Sequence, residues 1–196
     1  MSQRSYSRYV TSSVLVLIAV NVVLYIATLA DPDPDLIYTL GLQPSTWMER
    51  PWTLLTNLFI HGGLWHLAAN MITLFFFGRY LSMMVGESRF LIVYFLGGII
   101  GNFFFILLGP SYTLVIGASG AVFAVGGAFT LLAPKMKVFV FPIPVPLPLW
   151  VAVIGGFLIL SFLPFVAWEA HLGGLLVGLA AGFFFKKRQR NMPVFR

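Results

Sequence analysis

Six apolar stretches dominate the chain, near residues 10–30, 64–83, 90–108, 118–133, 148–164 and 170–185. A helix needs about 20 apolar residues to cross a hydrocarbon core of roughly 30 Å. In 196 residues, six such stretches leave short loops and almost no room for a soluble domain. Charged residues make up only 9% of the chain and hydrophobic ones 59%, where a soluble domain would carry about 25% charge. The expectation is an all-α membrane protein. A six-transmembrane-helix bundle would occupy 10–185, between an N-terminal tail at 1–9 and a basic C-terminal tail at 186–196. The first stretch runs into Asp31-Pro32-Asp33-Pro34-Asp35 with no small-x-small cleavage pattern, so it reads as a retained span.

The net charge of +6 does not point to nucleic acid, because the basic residues fall between apolar stretches and form no stripe. Arg4, Arg8, Arg79, Arg89, Lys135, Lys137, Lys186, Lys187, Arg188 and Arg190 mark the cytoplasmic side by the positive-inside rule. Asp31, Asp33, Asp35, Glu49 and Glu169 then lie outside, with Arg50 as the one basic residue there. Six spans return both termini to the cytoplasm. The chain contains no cysteine, which removes disulfides, thiolate nucleophiles and zinc-thiolate sites.

Two connections stand out. Residues 31–63 form a long first outer loop containing Trp47, Trp52 and an apolar run at 54–60, as expected of a segment lying in the membrane interface. On the inner side, Phe141-Pro142-Ile143-Pro144-Val145-Pro146-Leu147-Pro148 alternates prolines that cannot sustain a helix and favour an extended segment.

Strongly polar side chains within spans are costly in hydrocarbon and mark functional sites. Here they are few. His66, Asn70 and Thr73 follow at i, i+4, i+7 on one face of the second span, with His61 just before it. Asn102 sits in the third span, Ser119 opens the fourth, and His171 opens the sixth. His171, Gly174 and Gly178 share a face whose Gly-x-x-x-Gly pattern lets a neighbouring backbone approach, and Gly120, Ala124 and Gly127 offer a matching surface on the fourth span. Spans two, four and six all run from outside to inside, so His66, Asn70, Ser119 and His171 converge in one leaflet.

A serine hydroxyl becomes a nucleophile when a base within about 2.6–3.2 Å takes its proton, and His171 is the candidate base. His66, Asn70 and the Ser119 N–H can donate hydrogen bonds to the oxyanion formed when the serine attacks a carbonyl. No aspartate lies in any span, and Glu169 is expected at the surface on another side of its helix, so the expectation is a serine–histidine dyad. Each residue alone also has a structural explanation. A serine can bond a carbonyl one turn back, glycines pack helices, His66 and Asn70 can form an interhelical pair, and His61, Asn102 and Thr73 can hold loops and helices together. Other function classes fit less well. Neither His61 nor His66 is followed by glutamate as a zinc protease requires, no intramembrane aspartate is present, and no polar pathway of a transporter crosses the membrane.

Three motifs resemble the rhomboid family of intramembrane serine proteases. Gly117-Ala118-Ser119-Gly120 is similar to its Gly-x-Ser-Gly motif. His61-Gly-Gly-Leu-Trp-His66-Leu-Ala-Ala-Asn70 is similar to its His-x4-His-x3-Asn motif, and Ala170-His171-Leu-Gly-Gly174-Leu-Leu-Val-Gly178 to its Ala-His-x2-Gly-x3-Gly motif. The resemblance covers roughly 47–185 in the family's order. It implies a rhomboid-like bundle in the cell membrane whose site opens to the extracytoplasmic side. It also implies hydrolysis of peptide bonds in or near the transmembrane helices of single-span or other membrane proteins. Ser119 would be the nucleophile, His171 the base, and His66 with Asn70 the oxyanion hole, with 148–169 as a gate and no metal or cofactor. Gly117, Gly120, Gly174, Gly178, His61 and Phe123 would support the site. The alternative is a catalytically silent rhomboid-like protein that binds membrane-protein clients. The chain departs from the family at Trp52-Thr53, where Trp-Arg is common, and at Phe123, where tyrosine is common.

Overall fold

A computed structural model of the chain describes residues 12–30, 35–140, 143–164 and 166–190. The tail at 1–9 with Arg4 and Arg8, the outer acids Asp31 and Asp33, Phe141 and Pro142, and residues 191–196 lie outside the described residues. Helix α1 (Ser12–Ala30) is followed by α2 (Asp35–Leu40), α3 (Thr53–Thr56) with a 3-10 turn at Asn57–Phe59, and α4 (Leu64–Thr73). A π-turn at Leu74–Gly78 joins α4 to α5 (Arg79–Val85), and α6 (Glu87–Leu108), α7 (Ser119–Leu132), α8 (Leu149–Ser161) and α9 (Trp168–Arg190) complete the helices. Strands β1 (Lys137–Val138) and β2 (Leu147–Pro148) form an antiparallel pair between α7 and α8. The proline-rich segment is therefore extended at its end, where it pairs with β1.

Apolar helices occupy all six expected stretches, with one correction. Four are long and apolar enough to cross a membrane: Ser13–Ala30, Leu64–Val85, Glu87–Leu108 and Trp168–Arg188. The expected fourth and fifth full spans are instead shorter helices, of 14 and 13 residues. Local backbone explains the shortness. α7 begins after Gly117, whose φ of 123° is outside the helical range, and it ends at Leu132, two residues before Pro134. α8 is bounded by Pro148 and Pro164. At 1.5 Å per residue, α7 is about 21 Å long, against a hydrocarbon core of about 30 Å. α9 overruns its expected end at 185 and continues to Arg190.

α7 is the centre of the bundle. Every residue from Gly120 to Thr130 except Phe123 is buried, as suits a helix that is small and apolar on all sides. Its closest neighbour is α9, and the reason is a ladder of small residues. A Cβ placed on Gly174 would collide with the Gly120 carbonyl oxygen, and one on Gly178 with that of Ala124. The same step repeats at Gly182, where a Cβ would lie 2.8 Å from the Ala128 carbonyl oxygen. α6 joins through Gly101, whose added Cβ would lie 2.5 Å from the Ala170 carbonyl oxygen. The backbones of α6, α7 and α9 thus touch directly, as small-residue interfaces allow.

The loop between α1 and α4 is folded by specific hydrogen bonds. Trp52 Nε1 donates to the Thr39 carbonyl at 2.9 Å, Thr56 Oγ1 to that of Leu40 at 2.7 Å, and Thr53 Oγ1 to that of Arg50 at 2.7 Å. Thr53, which stands where the family commonly has arginine, is accommodated by bonding its own turn. Asn57 and Asn102 lock the loop to α6 by exchanging side-chain amide bonds at 2.9 and 2.8 Å, and Asn102 Nδ2 also reaches the Leu54 carbonyl at 2.8 Å. Both side chains are buried, so Asn102→Leu strands Asn57 in an apolar setting. We expect that change to cost about 1–3 kcal/mol in denaturation. The double variant Asn57→Leu/Asn102→Leu should cost less than the sum of the single changes.

Candidate active site

Ser119 is the first residue of α7, and the chain is led into it by backbone pairing. Val115 exchanges hydrogen bonds with Leu42 at 2.7 and 3.0 Å, and the Gly117 N–H donates to the Asn57 carbonyl at 2.9 Å. Gly117 then turns with its positive φ. That position requires glycine for a second reason, because a Cβ there would sit 2.6 Å from His66 Cε1 and 2.7 Å from its Nε2. The imidazole of His66 therefore lies against the backbone two residues before the serine.

His171 stands in the first turn of α9 and is buried. Its Nε2 is 2.7 Å from Ser119 Oγ. The ladder of small residues explains this closeness, since Gly120 and Gly174, which flank the pair, belong to touching backbones. The His171 ring is also packed by Phe123, one turn along α7, with centroids 4.7 Å apart. A tyrosine hydroxyl is not needed for that contact. Nδ1 of His171 is buried, and among the described residues neither a carboxylate nor any other group accepts a hydrogen bond from it.

Glu169 corrects the expectation of a surface position, because it is only 6% exposed. It occupies the first turn of α9, where the positive end of the helix dipole favours a carboxylate. Two residues from His171 on a helix, it points away from the imidazole and makes no bond to it.

Asn70 is buried, and its Nδ2 donates back to the His66 carbonyl at 2.9 Å. An amide carries two N–H donors, so one remains for another acceptor. Thr73 bonds the Ala69 carbonyl at 2.8 Å within its own helix. His61 is buried beside His66, with ring centroids 5.0 Å apart. Burial, and then the neighbouring His66 imidazole, push its pKa down to about 4 against the opposing effect of the Phe59 backbone, so His61 is neutral at ordinary pH. Among the described residues, no group of three or more histidine, cysteine, aspartate or glutamate side chains could hold a metal.

Sequence reasoning missed the part played by Asn57, which serves both the Gly117 N–H and Asn102. An asparagine inside the apolar run at 54–60 was the available signal.

The fold and site define a polytopic helical membrane protein with a hydrogen-bonded, part-buried serine–histidine pair between close-packed helices. Comparison with known proteins narrows this. The Rhomboid domain family model matches residues 48–188. "Rhomboid protein 1, mitochondrial" of Saccharomyces cerevisiae is 34% identical over 168 residues, covering 71% of this chain and 45% of that protein. "Inactive RHOMBOID-like protein 8" of Arabidopsis thaliana is 34% identical over 146 residues, covering 72% of this chain and 41% of that protein. "Rhomboid-like protease 3" of Toxoplasma gondii is 30% identical over 146 residues, covering 72% of this chain and 54% of that protein. The chain belongs to the rhomboid family. It spans about half the length, or less, of these relatives, which include both a named protease and a protein named inactive.

Proposed function

We propose that this chain is an intramembrane serine endopeptidase that hydrolyses peptide bonds in or near the transmembrane helices of membrane proteins. The observation that carries the reading is the 2.7 Å contact between His171 Nε2 and Ser119 Oγ. With the imidazole proton on Nδ1, Nε2 accepts the serine proton as Oγ attacks the scissile carbonyl, and the resulting imidazolium returns that proton to the leaving amine. Negative charge gathers on the carbonyl oxygen. The N–H of Ser119 is free of an intrahelical partner at the start of α7, and it donates to that oxygen together with His66 and the second N–H of Asn70.

The length of α7 supports a site below the membrane surface. If its C-terminal end reaches one face of the hydrocarbon core, a helix of about 21 Å leaves Ser119 about 9 Å inside the other. The outer face follows from the basic residues of the inner loops. The membrane in question is the cell membrane by that reading, although one relative is named mitochondrial. Substrates are single-span or other transmembrane proteins whose helices unwind locally, because a helical backbone holds its carbonyls in hydrogen bonds.

A second reading has one observation in its favour, namely the relative named inactive: a silent rhomboid-like protein that binds clients without cutting them. Reconstitution with a labelled single-span substrate, and labelling with a fluorophosphonate, separate the two. Cleavage and labelling at Ser119 are expected of the protease, and neither of the silent protein. His66→Ala and Asn70→Ala should each slow cleavage by about 10²–10³-fold while leaving the protein folded, as loss of an oxyanion donor does. Unchanged rates would remove these residues from the oxyanion hole.

A further inference from the structure

The connection between α7 and α8 carries apolar side chains that are exposed among the described residues. The chain leaves α7 near Pro134, pairs Lys137 with Pro148 and Val138 with Leu147, and is tied to the start of α8 by the Leu149 N–H donating to the Met136 carbonyl at 2.7 Å. Beyond the paired residues, Phe139 is 75% exposed and Val145 55%. Ile143 and Trp150 are exposed as well, while Lys135 and Lys137 are exposed at the base of the same hairpin.

We propose that this hairpin is an interfacial anchor, with Phe139 and Val145 among the upper acyl segments and Lys135 and Lys137 on the anionic headgroups of the same leaflet. Three observations favour lipid as the occupant. Both arms are joined directly to apolar membrane helices, so the hairpin starts and ends at the bilayer boundary. Its lysines sit at the base and its apolar groups beyond them, the division expected of a segment that draws electrostatically on anionic headgroups and buries apolar side chains beneath them. Its backbone is also poor in donors that would need water. Pro144, Pro146 and Pro148 have no N–H, and the Ile143 N–H is used by the Val140 carbonyl at 2.7 Å.

The anchor has a mechanical meaning. α8 buries only Leu149 and Val153, and added Cβ atoms at Gly155 and Gly156 would meet open space. Its N-terminal end is held by the hairpin, whereas the rest of the helix is lightly packed. Lipid composition at one leaflet therefore sets where that end of α8 sits.

The absence of cysteine makes a direct test available. Full-length Phe139→Cys and Val145→Cys variants carrying a nitroxide are placed in vesicles of phosphatidylcholine alone or mixed with phosphatidylglycerol, with circular dichroism as the check on folding. Relaxation by oxygen relative to a water-soluble nickel chelate should be several-fold higher at both sites than for the same label on free cysteine in buffer. The ratio should rise further with phosphatidylglycerol, and Lys135→Gln/Lys137→Gln should return it to the value in phosphatidylcholine alone. A ratio equal to that of the free label places the tip in water and overturns the anchor. A label shielded from both reagents overturns it in favour of a protein partner or a second copy. A ratio indifferent to phosphatidylglycerol removes the anionic headgroups from the proposal.

Discussion

Ser119→Ala should abolish cleavage of a reconstituted single-span substrate and all fluorophosphonate labelling, and His171→Ala should lower cleavage to the same floor. In a nucleophile–base pair acting as one unit, removing either member costs at least about 10⁴-fold, because neither performs the step without the other. The double variant Ser119→Ala/His171→Ala should then be no slower than either single one. Such complete non-additivity in the rate, with folding unchanged, is the mark of two residues that act as a unit in the chemical step. The contact at 2.7 Å makes the expectation specific, since the hydroxyl and the imidazole already share a hydrogen bond before any substrate arrives. Single-turnover rates in proteoliposomes supply the measurement. Retention of more than a few per cent of the native rate by Ser119→Ala would remove the serine from the chemistry.

Gly178→Val should break the bundle more severely than any polar substitution described above. Even one Cβ at Gly178 collides with the Ala124 carbonyl oxygen, and backbone cannot rotate aside as a side chain does. Overpacking of a tight interior costs typically about 1–3 kcal/mol when side chains can yield, and a backbone obstacle places this substitution at or above that range. Unfolding in mixed detergent, followed by tryptophan fluorescence, should report the loss. Gly174→Ala, one turn closer to the site, adds a catalytic consequence. Pushing α9 off Gly120 lengthens the hydrogen bond between Ser119 and His171, so the rate falls even in the fraction that stays folded. Gly155→Ala is the control, because its Cβ meets nothing, and stability should stay within about 0.5 kcal/mol of the native value. A Gly178→Val protein as stable as the native one would mean that α7 and α9 are not in backbone contact.

Much of this architecture could be read from the order of residues, and the exceptions have physical causes. Long apolar runs locate the helices, because crossing hydrocarbon is a local demand on composition. The polar residues of the site stood out for the same reason, each being expensive where it sits. Chain pattern did not reveal that α7 and α8 fall short of full spans. Hydropathy responds to composition, and a helix enclosed by protein is as apolar as one that faces lipid. The Asn57–Asn102 exchange joins residues 45 apart in sequence, beyond any periodicity. Glu169 is expected at the surface from its spacing to His171, yet that other side of the helix is buried, at a first turn whose dipole favours a carboxylate. The glycine pattern was followed only to Gly178, although its spacing continues to Gly182 against Ala128.

The shortness of α7 has one more consequence. Membranes differ in thickness, and helices in contact with lipid respond by tilting or by deforming the bilayer around them. α7 is enclosed by α6, α9 and the second span, so its length need not match the thickness of the hydrocarbon core. A change of host membrane would lean the outer cylinders over while the inner one kept its register with α9. On the proposed function, the distance from the serine to the histidine would then depend on the packing of α7 against α9 rather than on the thickness of the surrounding lipid.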